Sequence, residues 1–478
     1  MNNKVSFISG NFITAHLGHI RLFKYSKKFT KELVVGVYSD KLLKYKSPVS
    51  EKQRLRAVKN NKFVTKAVII NESLEKTILK INPSYVIKGA EFKNKKNLEN
   101  KILKKIQGKL IFFSDKSEDI TSNYLINKNI NFFQNNKLIK LPNQFLRKHK
   151  IKISQINKII NDFKLKKICV IGDVIVDEYI DCETVGISQE DSTLVVRPNK
   201  KNLYVGGAGI VASHASGLGA SVDLYSFAGN DTSLKFLNKK LKNYSVNNFI
   251  DFNSEISTHK KTRYIKNNNI LFRVNDINSY KLSKEQETIL LKKLKSKKNY
   301  YDLVIFSDFN YGCLSENIIK KIQNIFKSNK IIKAGDSQSS SQTGDIKKFK
   351  NFDLVTATEY ELRLNMNDFE NNITFIANKF IKNYKCKNII IKLGKNGIFI
   401  HSLDGSSKII SDSLGALNPY PKNISGAGDA FLVASSLSIS SKSSIWEASI
   451  IGSLASALQI SREGNVPISN EEISNLFN

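Results

Sequence analysis

Short apolar runs of strand length alternate with segments of helical spacing along almost the whole chain, and this alternation constrains the fold more than any other feature. The first series contains strands Val5–Ser9, Leu33–Tyr38, Ala67–Ile70, Tyr85–Lys88 and Leu110–Phe113. Helices over about His19–Phe29, Glu51–Lys59 and Ser73–Leu79 separate them. Strands joined through helices are predicted to form a doubly wound α/β sheet. From about Asn127 to Lys150 the alternation stops, and polar Asn and Lys mix with isolated apolar residues and Pro142. A second series opens with helix Ser154–Phe163 and strand Lys167–Ile171 and continues to the end. Short alternating segments over Tyr179–Tyr204 predict a small β excursion from its main sheet. The expected plan is one domain over 1–130, a linker over 131–155 and a second α/β domain over 156–478.

Composition supports two packed cores, because 41% of residues are hydrophobic and 28 Phe and 17 Tyr are among them. Cys169, Cys182, Cys313 and Cys386 are far apart and form no CxxC pair, which argues against a disulfide framework and a zinc site. Met1–Lys4 leads into the first strand without an apolar region of signal-peptide length, and every long apolar stretch has a polar break. A soluble cytoplasmic protein, with no membrane partner, is expected. The net charge of +33 invites a nucleic-acid reading, but the lysines are spread over the whole chain and no basic stripe carries interleaved aromatics. No specific nucleic acid is therefore expected; the charge suits small anionic substrates. The densest run, Lys93–Lys105, has helical spacing and reads as a solvated face.

Two segments carry chemistry. In the first, Gly10-Asn11-Phe12 follows strand one, and His16-Leu17-Gly18-His19 opens a helix. Glycine permits close approach to phosphate, a helix N-terminus offers unpaired N–H groups, and two imidazoles can donate to oxygens gaining charge. The segment resembles the HxGH signature of the cytidylyltransferase-like nucleotidyltransferases, which implies a Rossmann-like domain. Further matches follow in order: Ser39-Asp40, Arg54, Lys88-Gly89 and Thr121-Ser122. The resemblance implies catalytic roles for His16, His19 and Lys88, and nucleotide or phosphate contacts for Gly10, Phe12, Gly18, Arg54, Thr121 and Ser122. A Ser/Thr pair would equally serve as a plain N-cap. Ile13 stands where many members carry Asp.

The second segment is Ser425-Gly426-Ala427-Gly428-Asp429, a turn of small residues running into an apolar helix. Phosphoryl transfer needs positioning, charge stabilisation and a base, which N–H groups at Gly426, Ala427 and Gly428 and the carboxylate of Asp429 can supply. With Gly206-Gly207-Ala208 upstream, it resembles the two signatures of the ribokinase (PfkB) carbohydrate kinases. That resemblance implies a ribokinase-like domain with a small β lid and assigns Asp173, Asp177, Gly206, Gly207 and Arg263 to the sugar. It assigns Lys392 and Gly394 to the nucleotide, and Glu361 to magnesium through water. Ile210 and Thr358 replace two asparagines usual in this family.

The pair of resemblances matches the bifunctional enzymes of ADP-heptose synthesis, with the domain order reversed. It implies ATP as substrate, CTP as the alternative at the N-terminal head, Mg²⁺ as cofactor, sugar phosphates as partners, and a homodimer formed through the β excursion. A different sugar, or one head that binds without catalysis, are the competing expectations.

Overall fold

The computed structural model describes residues 4–12, 17–43, 47, 49–89, 92, 97, 99–113, 139–188, 190–253, 255–266, 269–328, 330–339, 342–403 and 408–477. The chain divides into two compact units, Met1–Asn136 and Lys137–Asn478.

In the first unit the described strands are β1 (Val5–Gly10), β2 (Glu32–Tyr38), β3 (Lys66–Ile70), β4 (Tyr85–Gly89) and β5 (Lys109–Phe113). They form a parallel sheet in the order β3-β2-β1-β4-β5. Alternate side chains leave on opposite faces: Ile8, Leu33, Val35 and Val37 enter one core with Phe12 and Phe23, while Phe7 and Val34 enter another with Ile78 and Ile102. This double burial explains why the strands read as unbroken apolar runs. The order reverses between β1 and β4, so their carboxyl ends, at Gly10 and Gly89, flank the crevice where sheets of this kind bind ligands.

In the second unit the main sheet uses β6 (Lys167–Gly172), β9 (Ser221–Ala228), β10 (Asn247–Phe252), β13 (Leu303–Asp308), β14 (Ile332–Ser337), β15 (Leu354–Thr358), β16 (Asn388–Lys392), β17 (Ile398–Leu403) and β18 (Ile409–Leu414). Its order is β10-β9-β6-β13-β14-β15-β16-β17-β18, antiparallel only across the β16–β17 and β17–β18 pairs. A separate sheet of β7 (Val174–Ile187), β8 (Leu194–Gly207), β11 (Lys260–Lys266) and β12 (Asn269–Asp276) is the β excursion, in the order β12-β11-β7-β8. It recruits β11 and β12 from much later in the chain than Tyr204.

The expected linker differs from what is observed. Helix Asn143–Lys148 buries Phe145 and Leu146 in the second unit's core, and helix Ile153–Asp162 buries Ile156, Ile159 and Ile160 there. Apolar residues spaced i, i+3, i+4 in the latter mark one helical face; in the former, two adjacent apolar residues gave no periodic signal.

Candidate active sites

In the first unit Gly10 ends β1 and the chain turns at Phe12, which is buried with φ 46°. A Cβ on Gly10 would meet the Phe12 ring at 3.0 Å, so this turn closes around an absent side chain. His19 sits in the first turn of helix Leu17–Ser26, its ring 4.9 Å from that of Phe12. Gly18 lies in the same helix, whereas Ile13, His16, Thr121 and Ser122 lie outside the described residues. Lys88 closes β4 beside this crevice, but its ammonium is held 2.6 Å from Glu99 Oε1 and 3.0 Å from Asn97 Oδ1, with the Phe92 ring 5.0 Å away.

Arg54 departs from the expected phosphate contact. Its side chain is fully buried: Nε donates to Val49 O (3.1 Å), Nη1 to Asn11 O (2.6 Å) and Nη2 to Asp40 Oδ1 (2.5 Å). It therefore fastens the turn after β1 to the end of β2 and the start of helix Glu51–Lys59, a positioning role. Hydrogen bonds from the Glu51 backbone N–H and then from Arg54 hold the Asp40 carboxyl below the usual range. Glu99, within the Lys93–Lys105 run that reads as a solvated face, is instead a buried partner of Lys88.

In the second unit the carboxyl edge of the main sheet gathers Asp336 of β14, Lys392 of β16, Glu361 in the helix after β15, and Asp429 in the first turn of helix Ala427–Ser440. Lys392 Nζ donates to Asp336 Oδ2 at 2.6 Å. A Cβ on Gly428 would lie 3.1 Å from the same ammonium, so Lys392 stands over the head of this helix, where N–H groups lack intrahelical acceptors. Gly426 has φ 75° as the N-cap, and a Cβ there would press 2.5 Å from Asn465 Oδ1. The Ala427 N–H turns back toward Ile424 O at 3.4 Å. Gly394 has φ 59° in the turn after β16, and a Cβ there would meet nothing within 4 Å.

Electrostatics set the acids apart. Burial, reinforced by Asp336, pushes the Asp429 carboxyl up to about 7, against the opposing Lys392 charge and a hydrogen bond from Gln338. Burial likewise raises Asp336 to about 6, with Lys392 opposing. Desolvation works against the Lys392 ammonium, yet Asp336, Glu361 and Asp429 outweigh it and raise its pKa. Asp429 thus titrates near neutrality, the range that suits a general base, beside a cation and a helix N-terminus that suit a transferring phosphoryl group.

Thr358 shapes the turn that carries Glu361. It N-caps helix Glu359–Met366 in a capping box: Thr358 Oγ1 accepts the Glu361 N–H, and Glu361 Oε2 accepts the Thr358 N–H at 2.7 Å. Glu361 Oε1 accepts from the Ser339 N–H at 2.8 Å, which turns this carboxylate toward the exit of β14. Among the described residues no group of three or more His, Cys, Asp or Glu is placed to hold a metal ion unaided. The oxygen donors of Asp336, Glu361 and Gln338 fit Mg²⁺ bound through waters and a triphosphate, the usual mode for this ion.

The sugar-side residues separate into two groups. Asp177 Oδ1 accepts from Arg263 Nη1 (2.6 Å) and Oδ2 from Asn465 Nδ2 (2.8 Å), and a Cβ on Gly206 would stand 2.4 Å from Oδ2. Gly206 thus makes room for Asp177, and Asn465, which donates to Asp177, stands against Gly426, so Asp177 lies beside the turn that leads to Asp429. Asp173 does not join them. It is fully buried, and its oxygens accept N–H bonds from Phe309, Tyr311 and Cys313 at 3.1 to 3.3 Å, so it anchors that loop instead of meeting sugar. Gly207, with φ 58°, N-caps helix Ala208–Gly217, where a Cβ would collide with Asp173 O at 2.2 Å. Ile210 is buried in that helix.

Two site residues carried no sequence signal. Gln338 donates to Asp429 Oδ1 at 2.7 Å, and Asn465 bridges to Asp177 from a loop near the C-terminus.

This is the architecture of a Rossmann-like unit followed in the chain by a ribokinase-like unit. The sequence matches the pfkB family carbohydrate kinases over residues 165–472 and the cytidylyltransferase-like proteins over residues 7–178. The chain belongs to the pfkB family of carbohydrate kinases. Similar sequences include proteins named "Bifunctional protein HldE" from Desulfatibacillum aliphaticivorans, 26% identical over 319 residues (65% of this chain, 63% of that one), and from Campylobacter jejuni subsp. jejuni serotype O:6, 29% identical over 313 residues (64% of each). The chain thus spans less than two thirds of their length. Similar solved structures include phosphofructokinase-2 from Escherichia coli in complex with substrates and products, with TM-score 0.54, 16% identity and coverage of 65% of this chain and 98% of that one. Arabidopsis thaliana ribokinase complexed with ribose and ATP has TM-score 0.50 at 16% identity, covering 66% and 99%. At these identities they show the fold.

Proposed function

We propose that this chain is a two-headed enzyme of nucleotide-sugar synthesis, of the ADP-heptose type that serves cell-surface polysaccharide. In the kinase head Asp429 takes the proton of the anomeric hydroxyl of a sugar phosphate while that oxygen attacks the γ-phosphorus of ATP. The bond from the γ-phosphorus to the β,γ-bridging oxygen breaks and ADP leaves. Lys392 and the N–H groups of the first turn of helix Ala427–Ser440 receive the charge of the phosphoryl oxygens. Glu361 and Asp336 would hold Mg²⁺ through water, which neutralises the triphosphate when bound. Asp177 and Arg263 orient the sugar. In the nucleotidyltransferase head His16 and His19 stabilise charge on the α-phosphate as a sugar 1-phosphate displaces pyrophosphate from ATP, or from CTP in the alternative.

The observation that carries this reading is the convergence of Asp429, Asp336 and Lys392 at the head of one helix, with Asp429 titrating near neutrality. The likeness to the relatives named HldE supports it, while the reversed order of the two heads leaves a different sugar as the alternative. Free thiols at all four cysteines suit a cytoplasmic enzyme that draws on ATP. A homodimer through the lid is part of the same reading, since its hairpin exposes Val185, Ile187 and Leu194. Phosphorus NMR of the full chain with Mg-ATP and a heptose 7-phosphate tests the kinase step: a new anomeric phosphate is expected, and ATP left intact with every sugar phosphate offered would refute it.

A second reading, in which the N-terminal head binds ligand without catalysis, draws on Arg54 and Lys88, since each is committed to a carboxylate. Pyrophosphate release from any sugar 1-phosphate excludes it.

A further inference from the structure

A cavity of about 180 Å³ opens on the body-facing side of the lid, between Tyr179, Asn202 and Tyr204 of its strands and the loops carrying Lys422, Asn423 and Glu463. It is tied to the phosphoryl-transfer turn: Tyr179 Oη donates to Oγ of Ser425, the residue before Gly426, at 3.0 Å and receives Asn423 Nδ2 at 3.4 Å. It is also continuous with the sugar-side residues. Arg263, which donates to Asp177, lies 5.0 Å from the centre of the Tyr179 ring. Asp177 and Tyr179 project from one face of β7, two residues apart, so the cavity begins about 7 Å beyond Asp177.

The lining joins the apolar side chains of Ile265, Ile270 and Ile424 to polar groups, as a site for a carbon chain bearing hydroxyls would. Tyr179 and Tyr204 meet edge to face at 5.4 Å and present ring surfaces to C–H groups. Asn202, Asn423 and the exposed Glu463 carboxylate offer donors and acceptors for hydroxyls. Lys422 and Glu463 both line the cavity, and Arg263, paired with Asp177, lies behind the Tyr179 ring. Arg263 spends Nη1 on Asp177, and a guanidinium has further N–H donors for an anion. The space falls below the roughly 300 Å³ at which pockets for drug-sized molecules begin, so it fits a substituent better than a nucleoside.

We propose that this cavity is the subsite for the non-reacting end of the kinase substrate, a hydroxylated carbon chain ending in phosphate that pairs with Lys422 and Arg263 while the reacting hydroxyl lies at Asp429. The inference rests on the kinase reading above and adds the determinant that separates phosphorylated, extended sugars from free short ones. The test uses the full chain and measures kcat and KM for a heptose 7-phosphate and for the same heptose without its phosphate, in wild type and in Lys422→Met, Lys422→Arg and Asn202→Ala. The preference for the phosphorylated sugar is expected to fall about tenfold in Lys422→Met, mainly through KM, with Lys422→Arg restoring most of it. Asn202→Ala is expected to raise KM for both sugars. An unchanged preference in Lys422→Met, with wild type active on both, would overturn the subsite and leave the kinase reading standing. Wild type inactive on every sugar and sugar phosphate offered would overturn both.

Discussion

The Lys392 ammonium lies 2.6 Å from Asp336 Oδ2, in the interior of the second unit and directly over Gly428 at the head of helix Ala427–Ser440. Breaking a buried ion pair from one side leaves an uncompensated charge, whereas removing both partners does not. Lys392→Met is expected to lower stability by about 3 kcal/mol and abolish kinase turnover. Adding Asp336→Asn should recover most of the stability and none of the activity. Denaturant melts of the single and double variants check this.

Asp429 makes the kinase step sensitive to pH. Its carboxyl is raised to about 7 in the folded chain, by burial first and then by Asp336, and a base must be ionised to accept a proton. Kinase kcat/KM should rise with pH through about 7 and level off above it. The same shift has a stability consequence of defined sign: the protonated carboxyl favours the fold fully below the unfolded value near 4, and that contribution is lost as pH rises through about 7. Asp429→Asn should therefore cut kcat by about 10²- to 10⁴-fold while leaving the chain at least as stable at pH 8. Rate profiles and thermal melts at pH 5 and pH 8 separate the two effects.

Gly206 is predicted to act on the sugar and spare the nucleotide. A Cβ there would stand 2.4 Å from Asp177 Oδ2 and displace the carboxylate that holds Arg263. Gly206→Ala should raise KM for sugar phosphate well above any change in KM for ATP, as initial rates over both substrates would show.

Arg54 is predicted to fail structurally. Its three hydrogen bonds reach Val49, Asn11 and Asp40 from a fully buried side chain, and a lysine cannot reproduce that fork. Arg54→Lys should destabilise the first unit by a few kcal/mol and abolish pyrophosphate release. Limited proteolysis should then cut within 1–136 before it cuts the second unit.

Most of the frame was legible because buried parallel strands are continuous apolar runs, and the five described strands of the first unit lie within a residue of their expected bounds. What escaped depends on contacts between distant residues. Asp173 and Asp177 occupy one short motif, yet Asp173 bonds the 309–313 loop and Asp177 bonds Arg263, because Asp173 is the junction between β6 and β7 while Asp177 lies within β7. Arg54 is buried against Val49, Asn11 and Asp40 by contacts that its place in the sequence does not signal. Gln338 and Asn465 reach the site through turns in polar segments that carry no periodic signal.

The most direct test of the two-headed account is separation of function in the full chain, with kinase product and pyrophosphate release measured side by side for wild type, Asp429→Asn and His19→Ala. The account predicts that Asp429→Asn loses only the kinase product and His19→Ala only pyrophosphate release. Loss of both activities in either variant with the fold intact, or pyrophosphate release that survives His19→Ala unchanged, would contradict it.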